Sequence, residues 1–88
     1  MNTDETLFQF PCKFPIKAMG INRANFDIRV VEIVRRHAPD IAEGAITSRF
    51  SNGGKYVSVT ITITAQSKKQ LDAIYQDLRD SEAVLMAL

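Results

Sequence analysis

Only one cysteine, Cys12, and one histidine, His37, occur in the chain. A lone thiol excludes an intramolecular disulfide, and with no second cysteine or histidine cluster beside it there is no metal-ligating set. A soft-metal carrier would need two thiols in the loop after its first strand; Cys12 precedes the strand and reads as a small apolar filler. Neither sign of charge is in excess: eleven basic residues against ten acidic ones leave +1. That balance gives no strong field for nucleic acid or an anionic membrane. No apolar run is long enough to span a bilayer, and the start lacks the basic-then-apolar pattern of a secretory signal. These absences predict a cytoplasmic protein with no metal or cofactor and no membrane or nucleic-acid partner.

The 88 residues are 45% hydrophobic and 24% charged, the composition of one small globular domain. A core this small gains from pairing with a partner, so a homodimer is expected to help it. Residues 1–7, polar and acidic at their start, read as a flexible tail, and residues 8–88 as the single domain. Leu7, Phe8 and Phe10 bring apolar bulk just before Pro11 and are expected to form a flap on the body.

The firmest pattern is residues 55–65. Val57, Val59, Ile61 and Ile63 alternate with Ser58, Thr60, Thr62 and Thr64. A strand turns successive side chains to opposite faces, so one face is aliphatic and the other carries hydroxyls. All eight except the serine are β-branched, which favours a strand over a helix. Before it, residues 14–19 predict a strand, with Pro15 at its start or on an unpaired side because it has no N–H to give. Gly20 is expected to end that strand, and residues 20–23 to turn into a helix over 26–37 with Asn25 as N-cap. Phe26, Val30, Ile33 and Val34 recur at helical spacing, with Val31 at the margin, and Pro39 stops the helix. Residues 40–44 read as a connecting loop. Residues 45–51 predict a second strand, and Asn52-Gly53 a two-residue hairpin turn that sets Arg49 opposite Tyr56 and Ile46 opposite Val59. Ile46 and Phe50 then join the aliphatic face. Ser67 and Gln70 form a capping box for a helix to about residue 79, with Leu71, Ile74, Tyr75 and Leu78 as its stripe. Residues 83–88 predict the last strand.

This order implies an α+β chain: a ferredoxin-like βαββαβ two-layer sandwich, four antiparallel strands with two helices on one face. Function must then be sought in the residues. An RNA binder of this topology stacks bases on sheet aromatics, but the open face carries hydroxyls with Tyr56 only at one strand's beginning. The Arg49–Tyr56 pair reads as cross-strand packing. An acyl-phosphate hydrolase needs a phosphate-cradling turn, an arginine and an amide for the attacking water. Gly20 and Arg23 echo it, but the third strand offers no asparagine. His37, at a helix end, reads as a cap on free carbonyls, since no nucleophile–base pair can be assigned around it. A small-molecule sensor of the ACT type places its ligand at the turn between the first strand and first helix. Gly20, Ile21 and Asn22 occupy that turn: glycine allows close backbone approach, and asparagine offers donor and acceptor together.

Several runs also resemble a known family: Phe10-Pro11, Lys17-Ala18-Met19-Gly20, Val30-Val31-Glu32-Ile33-Val34, and Arg36-His37-Ala38-Pro39. Gly54-Lys55-Tyr56-Val57-Ser58-Val59-Thr60-Ile61-Thr62, residues 75–78 and Met86-Ala87-Leu88 extend the likeness from Phe8 onward. Together they resemble the YbeD-like family of small bacterial proteins. The resemblance implies an ACT-like ferredoxin fold and supplies no catalytic residue. The expectation is a non-enzymatic regulatory module that senses an amino-acid-like ligand through Gly20, Ile21 and Asn22 and acts on a separate protein partner. The alternative is a protein-interaction adaptor without a small ligand, using exposed edge strands or the polar sheet face. An acylphosphatase-like enzyme and an RNA-binding module rank below both.

Overall fold

A computed structural model describes residues 9–88 of the chain. The residue 1–7 tail and the flap residues Leu7 and Phe8 lie outside the described residues, while Phe10 is half-buried and packs against the core. The elements are β1 (Cys12–Ile21), α1 (Phe26–Arg35), β2 (Ile46–Phe50), β3 (Tyr56–Ala65), α2 (Lys68–Asp80) and β4 (Met86–Ala87). The strands form one antiparallel sheet in the order β2-β3-β1-β4, and β1 pairs with β3 along ten residues from Cys12↔Ala65 to Ile21↔Tyr56. This is the ferredoxin-like sandwich that the element order implies, with β3 in the interior of the sheet.

The alternation in β3 sets the layers. Val57, Val59, Ile61 and Ile63 are buried, as are Ile16 and Ala18 across from them on β1. Phe26, Val30, Ile33 and Val34 from α1 and Leu71, Ile74 and Leu78 from α2 close over that face. Each fully buried aliphatic side chain contributes about 1.5–3 kcal/mol. Pro15 sits inside the strand without harm. Asn22 N donates to Lys55 O at 2.8 Å, so even-numbered β1 residues bond to β3 and odd-numbered ones point towards β4. The last strand and Leu88 pair with β1 only at Lys17, Ala18 and Met19, so among the described residues no strand partner is paired opposite Pro15 on that side.

Several boundaries differ from the sequence reading. β1 runs through Gly20 to Ile21, because the long β3 offers a partner to every residue. Asn25 does not cap α1 with its side chain: it takes a left-handed conformation (φ 68°), tolerable for asparagine, and contributes only its carbonyl, which accepts from Arg29 N at 3.0 Å. The helix ends at Arg35, two residues before His37. The β2–β3 connection is residues 51–55, in which the Ser51–Tyr56 pair closes a loop of four. Gly53 and Gly54 carry the positive φ values (82° and 73°), and Ser51 N donates to Tyr56 O while Ser51 Oγ accepts from Tyr56 N. The register therefore slides by two: Ile46 faces Ile61, Arg49 faces Ser58, and the Arg49–Tyr56 pair does not form. A slip of two preserves which side chains face the helices. Phe50 lies on the helix side as expected, yet it is 63% exposed because it stands on the outer strand, past the cover of the helices. Residues 83–85 lead into β4 as a turn, with Val84 N bonded to Ser81 O.

α2 keeps its cap with one change. Ser67 Oγ accepts from Gln70 N at 3.1 Å, but the Gln70 carbonyl reaches past Ser67 to Gln66 N at 2.7 Å. The amide end of Gln70 donates to His37 O at 2.8 Å and so ties α2 to the end of α1.

Candidate functional site

Of the three residues that the sequence places in the turn from β1 into α1, Gly20 and Ile21 are the last two of β1, paired with Val57 and Tyr56, and only Asn22 lies in the turn. Gly20 is buried, and the structure explains it by packing. A Cβ there would stand 2.5 Å from the Ala83 carbonyl oxygen and closer still to the Phe26 ring. No space is left for a ligand to approach its backbone from that side. Asn22 already has partners: Nδ2 donates to Gly54 O at 2.9 Å, and its main-chain N–H is held by Lys55. Ile21 is 38% exposed, on the open face of the sheet opposite Tyr56.

Ile21 also borders a cleft of about 360 Å³ at this turn, which Arg23, Phe26, Arg29, Glu82 and Leu85 line as well. Its lining combines apolar side chains with two guanidinium groups and one carboxylate. Neither arginine has an ion-pair partner among the described residues. Arginine presents a planar fork suited to a carboxylate, and Glu82 can accept from an ammonium group. Such a lining carries the charges of both signs that a small zwitterion needs.

His37 stands elsewhere, at the far end of α1. It does not cap free carbonyls: Nε2 lies 2.6 Å from Asp77 Oδ2 on α2, and Arg36 approaches the same oxygen at 3.8 Å. The helix stops early enough for the imidazole to turn across to α2 instead. A second cleft, about 340 Å³, opens beside His37 and is bordered by Lys13, Thr64, Gln66 and Gln70. Cys12 is half-buried against the core, as a filler. Tyr75, part of the α2 stripe, is half-buried; its hydroxyl donates to Leu88 O at 2.7 Å and its ring meets the edge of Phe14. Burial pushes its phenol above the ordinary tyrosine pKa.

Residues 5–88 match the family described as "Protein of unknown function (DUF493)". The chain belongs to this family. Its relatives in the DUF493 family include a UPF0250 protein of Chromobacterium violaceum, 45% identical over 96% of this chain and 94% of that one. Another, from Nitrosomonas europaea, is 44% identical over 98% of this chain and 99% of the relative. The YbeD-like resemblance and the bacterial setting are thus shown. The solution structure of protein HP0495 from H. pylori superposes with a TM-score of 0.69 at 12% identity, covering 92% of this chain and 85% of that one. At that identity the likeness speaks for the fold alone.

Arg23 figured in the sequence reading only as a faint phosphate motif, and Arg29 and Glu82 did not figure in it. Glu82 is far in sequence from the two arginines and meets them only because α1 and the turn after α2 converge beside the end of β1. The spacing of Arg23 and Arg29 on either side of a helix start was the one legible signal. Among the described residues no group of three or more histidine, cysteine or acidic side chains is placed to hold a metal, and no helix is long and apolar enough to cross a membrane.

Proposed function

We propose that this DUF493 chain is a non-enzymatic regulatory module that takes a small amino-acid-like ligand and acts on a separate protein. The observation that carries this is the cleft beside Ile21, with Arg23 and Arg29 for a carboxylate, Glu82 for an ammonium group, and Phe26 and Leu85 for an apolar side chain. The role first given to Gly20 and Asn22 moves with it. Gly20 leaves the space that the Phe26 ring occupies, and Asn22 ties the start of the turn to the β2–β3 loop, so both act on the cleft through its neighbours. Binding, with no chemistry on the ligand, is the reading that this donor set supports, since the cleft holds no nucleophile.

Thermal shift and calorimetry on the full chain test it, with the common amino acids and their analogues lacking the ammonium or the carboxylate. The expected result is stabilisation by a subset of zwitterions, weaker with either analogue and lost in Arg23→Ala and Arg29→Ala. Stabilisation by none, or stabilisation that both variants retain, would sink the ligand half of the reading.

A further inference from the structure

The near-neutral charge of the chain conceals a division between its two layers. Every acidic side chain among the described residues stands on a helix or a connection, and the four strands contain none. Register places Lys13 and Lys17 of β1 and Arg49 of β2 on the open face of the sheet, opposite Thr64, Thr60 and Ser58. Lys55 joins them: its Nζ lies 5.4 Å from the centroid of the Tyr56 ring, which is also on that face. None of these four cations makes an ion pair among the described residues. The face is thus uniformly basic. Between the cations and at one end it is apolar: Met19 opposes Met86, Leu88 lies across from Lys17, and Ile21 opposes Tyr56. Met86 and Leu88 are 51% and 62% exposed and adjoin Met19 and Ile21 on this face, a contiguous apolar patch of the kind that marks a contact surface.

We infer that the open sheet face docks an acidic protein surface that presents aliphatic side chains among its carboxylates. The charge is complementary to such a partner and repels a basic one, which fixes the sign of what can dock. Methionines side by side suit an aliphatic contact, since they repack around varied shapes. The threonine and serine hydroxyls between the cations give hydrogen bonds to carboxylates without adding charge. A nucleic acid would also meet basic charge, but it needs several stacking rings, and Tyr56 is alone. This face is separate from the zwitterion cleft except at Ile21, and it requires no ligand there.

The probe is a 16-residue labelled peptide alternating leucine with glutamate, followed by fluorescence anisotropy and by amide chemical shifts of the full chain. Controls are a peptide with lysine for glutamate, one with serine for leucine, and an oligonucleotide of equal charge. The inference expects binding of the acidic amphipathic peptide alone, shifts centred on β1, β3 and β4, and weakening with added salt. Lys17→Glu with Arg49→Glu should cost tenfold or more in affinity, whereas Lys69→Glu with Arg79→Glu on α2 should cost less than twofold. All four positions are exposed or at the surface, and circular dichroism confirms that each variant is folded. Equal binding of the serine peptide, shifts confined to the helices, indifference to the Lys17/Arg49 pair, or tighter binding of the oligonucleotide would each overturn it. Loss of ligand binding in the Arg23 and Arg29 variants leaves these outcomes unchanged, so the two readings fail separately.

Discussion

Replacing Gly20 by alanine separates two explanations of a buried glycine. If Gly20 exists so that a ligand can approach the backbone, alanine would leave stability intact and impair binding. The structure argues the reverse. The added methyl meets the Phe26 ring on one side and the Ala83 carbonyl at 2.5 Å on the other. The ring could swing, but Phe26 is 4% exposed and sits at the first turn of α1, so moving it disturbs the helix entry. The carbonyl belongs to the backbone of the turn into β4 and cannot rotate away. Overpacking of this kind costs about 1–3 kcal/mol. In a domain of this size each kcal/mol moves Tm by about 4–8 °C, so a fall of roughly 4–24 °C is expected. Urea unfolding followed by circular dichroism measures it, with a lower midpoint and an unchanged slope. Phe26→Leu in the Gly20→Ala background should recover part of the loss, since the smaller side chain vacates the space. A Gly20→Ala variant as stable as the parent would refute the packing account.

Three other outcomes are expected. Ser67→Ala removes the acceptor for Gln70 N at the start of α2 and should cost about 0.5–2 kcal/mol, read from the same urea transitions, with Thr at this position nearly neutral. Tyr75→Phe deletes the hydroxyl that donates to Leu88 O and should cost about 0.5–1.5 kcal/mol near neutral pH. The same tyrosine predicts an alkaline limb. Its pKa is raised by burial, so the unfolded chain loses the phenol proton first; stability is intact below pH about 10 and falls as pH rises through the folded value. The phenylalanine variant should flatten that limb.

Much of the fold was legible because the strongest patterns are periodic. The aliphatic–hydroxyl alternation of residues 57–64 fixed a strand and both its faces, and two helical stripes fixed what covers one of them. Errors gathered where one local rule competed with another. Asn52-Gly53 is a hairpin signal, but Gly54 follows it, and a second residue able to take positive φ let the loop widen and the register slip. Asn25 is a common cap residue that is also, glycine aside, among those most tolerant of a left-handed turn, and here the turn prevailed. Gly20 read as a strand end because glycine breaks strands in isolation; its neighbour across space, Phe26, is invisible to any local window. The site suffered most from this. Arg23, Arg29 and Glu82 line one cleft only after the chain has folded, and the spacing of the two arginines about a helix start says nothing of Glu82.

The basic face was hidden for another reason: net charge averages over the molecule, whereas a docking partner meets one side of it. Lys13 and Lys17 fall on the hydroxyl side of the sheet through the parity of β1, and Arg49 arrives there through β2. A register slip of one would have buried all three, so the alternation that builds the core also gathers the cations. Ile21 belongs to both proposed surfaces, lining the cleft and standing on the open face, and Leu85 in the cleft is next in sequence to Met86 on the face. A shared side chain gives the two proposed sites a route for coupling. Any effect of the small ligand on partner affinity must be returned by the partner, in equal measure, on the affinity for the ligand. Ile21→Ala is therefore the substitution that should weaken that coupling most, by opening the one side chain that both sites touch.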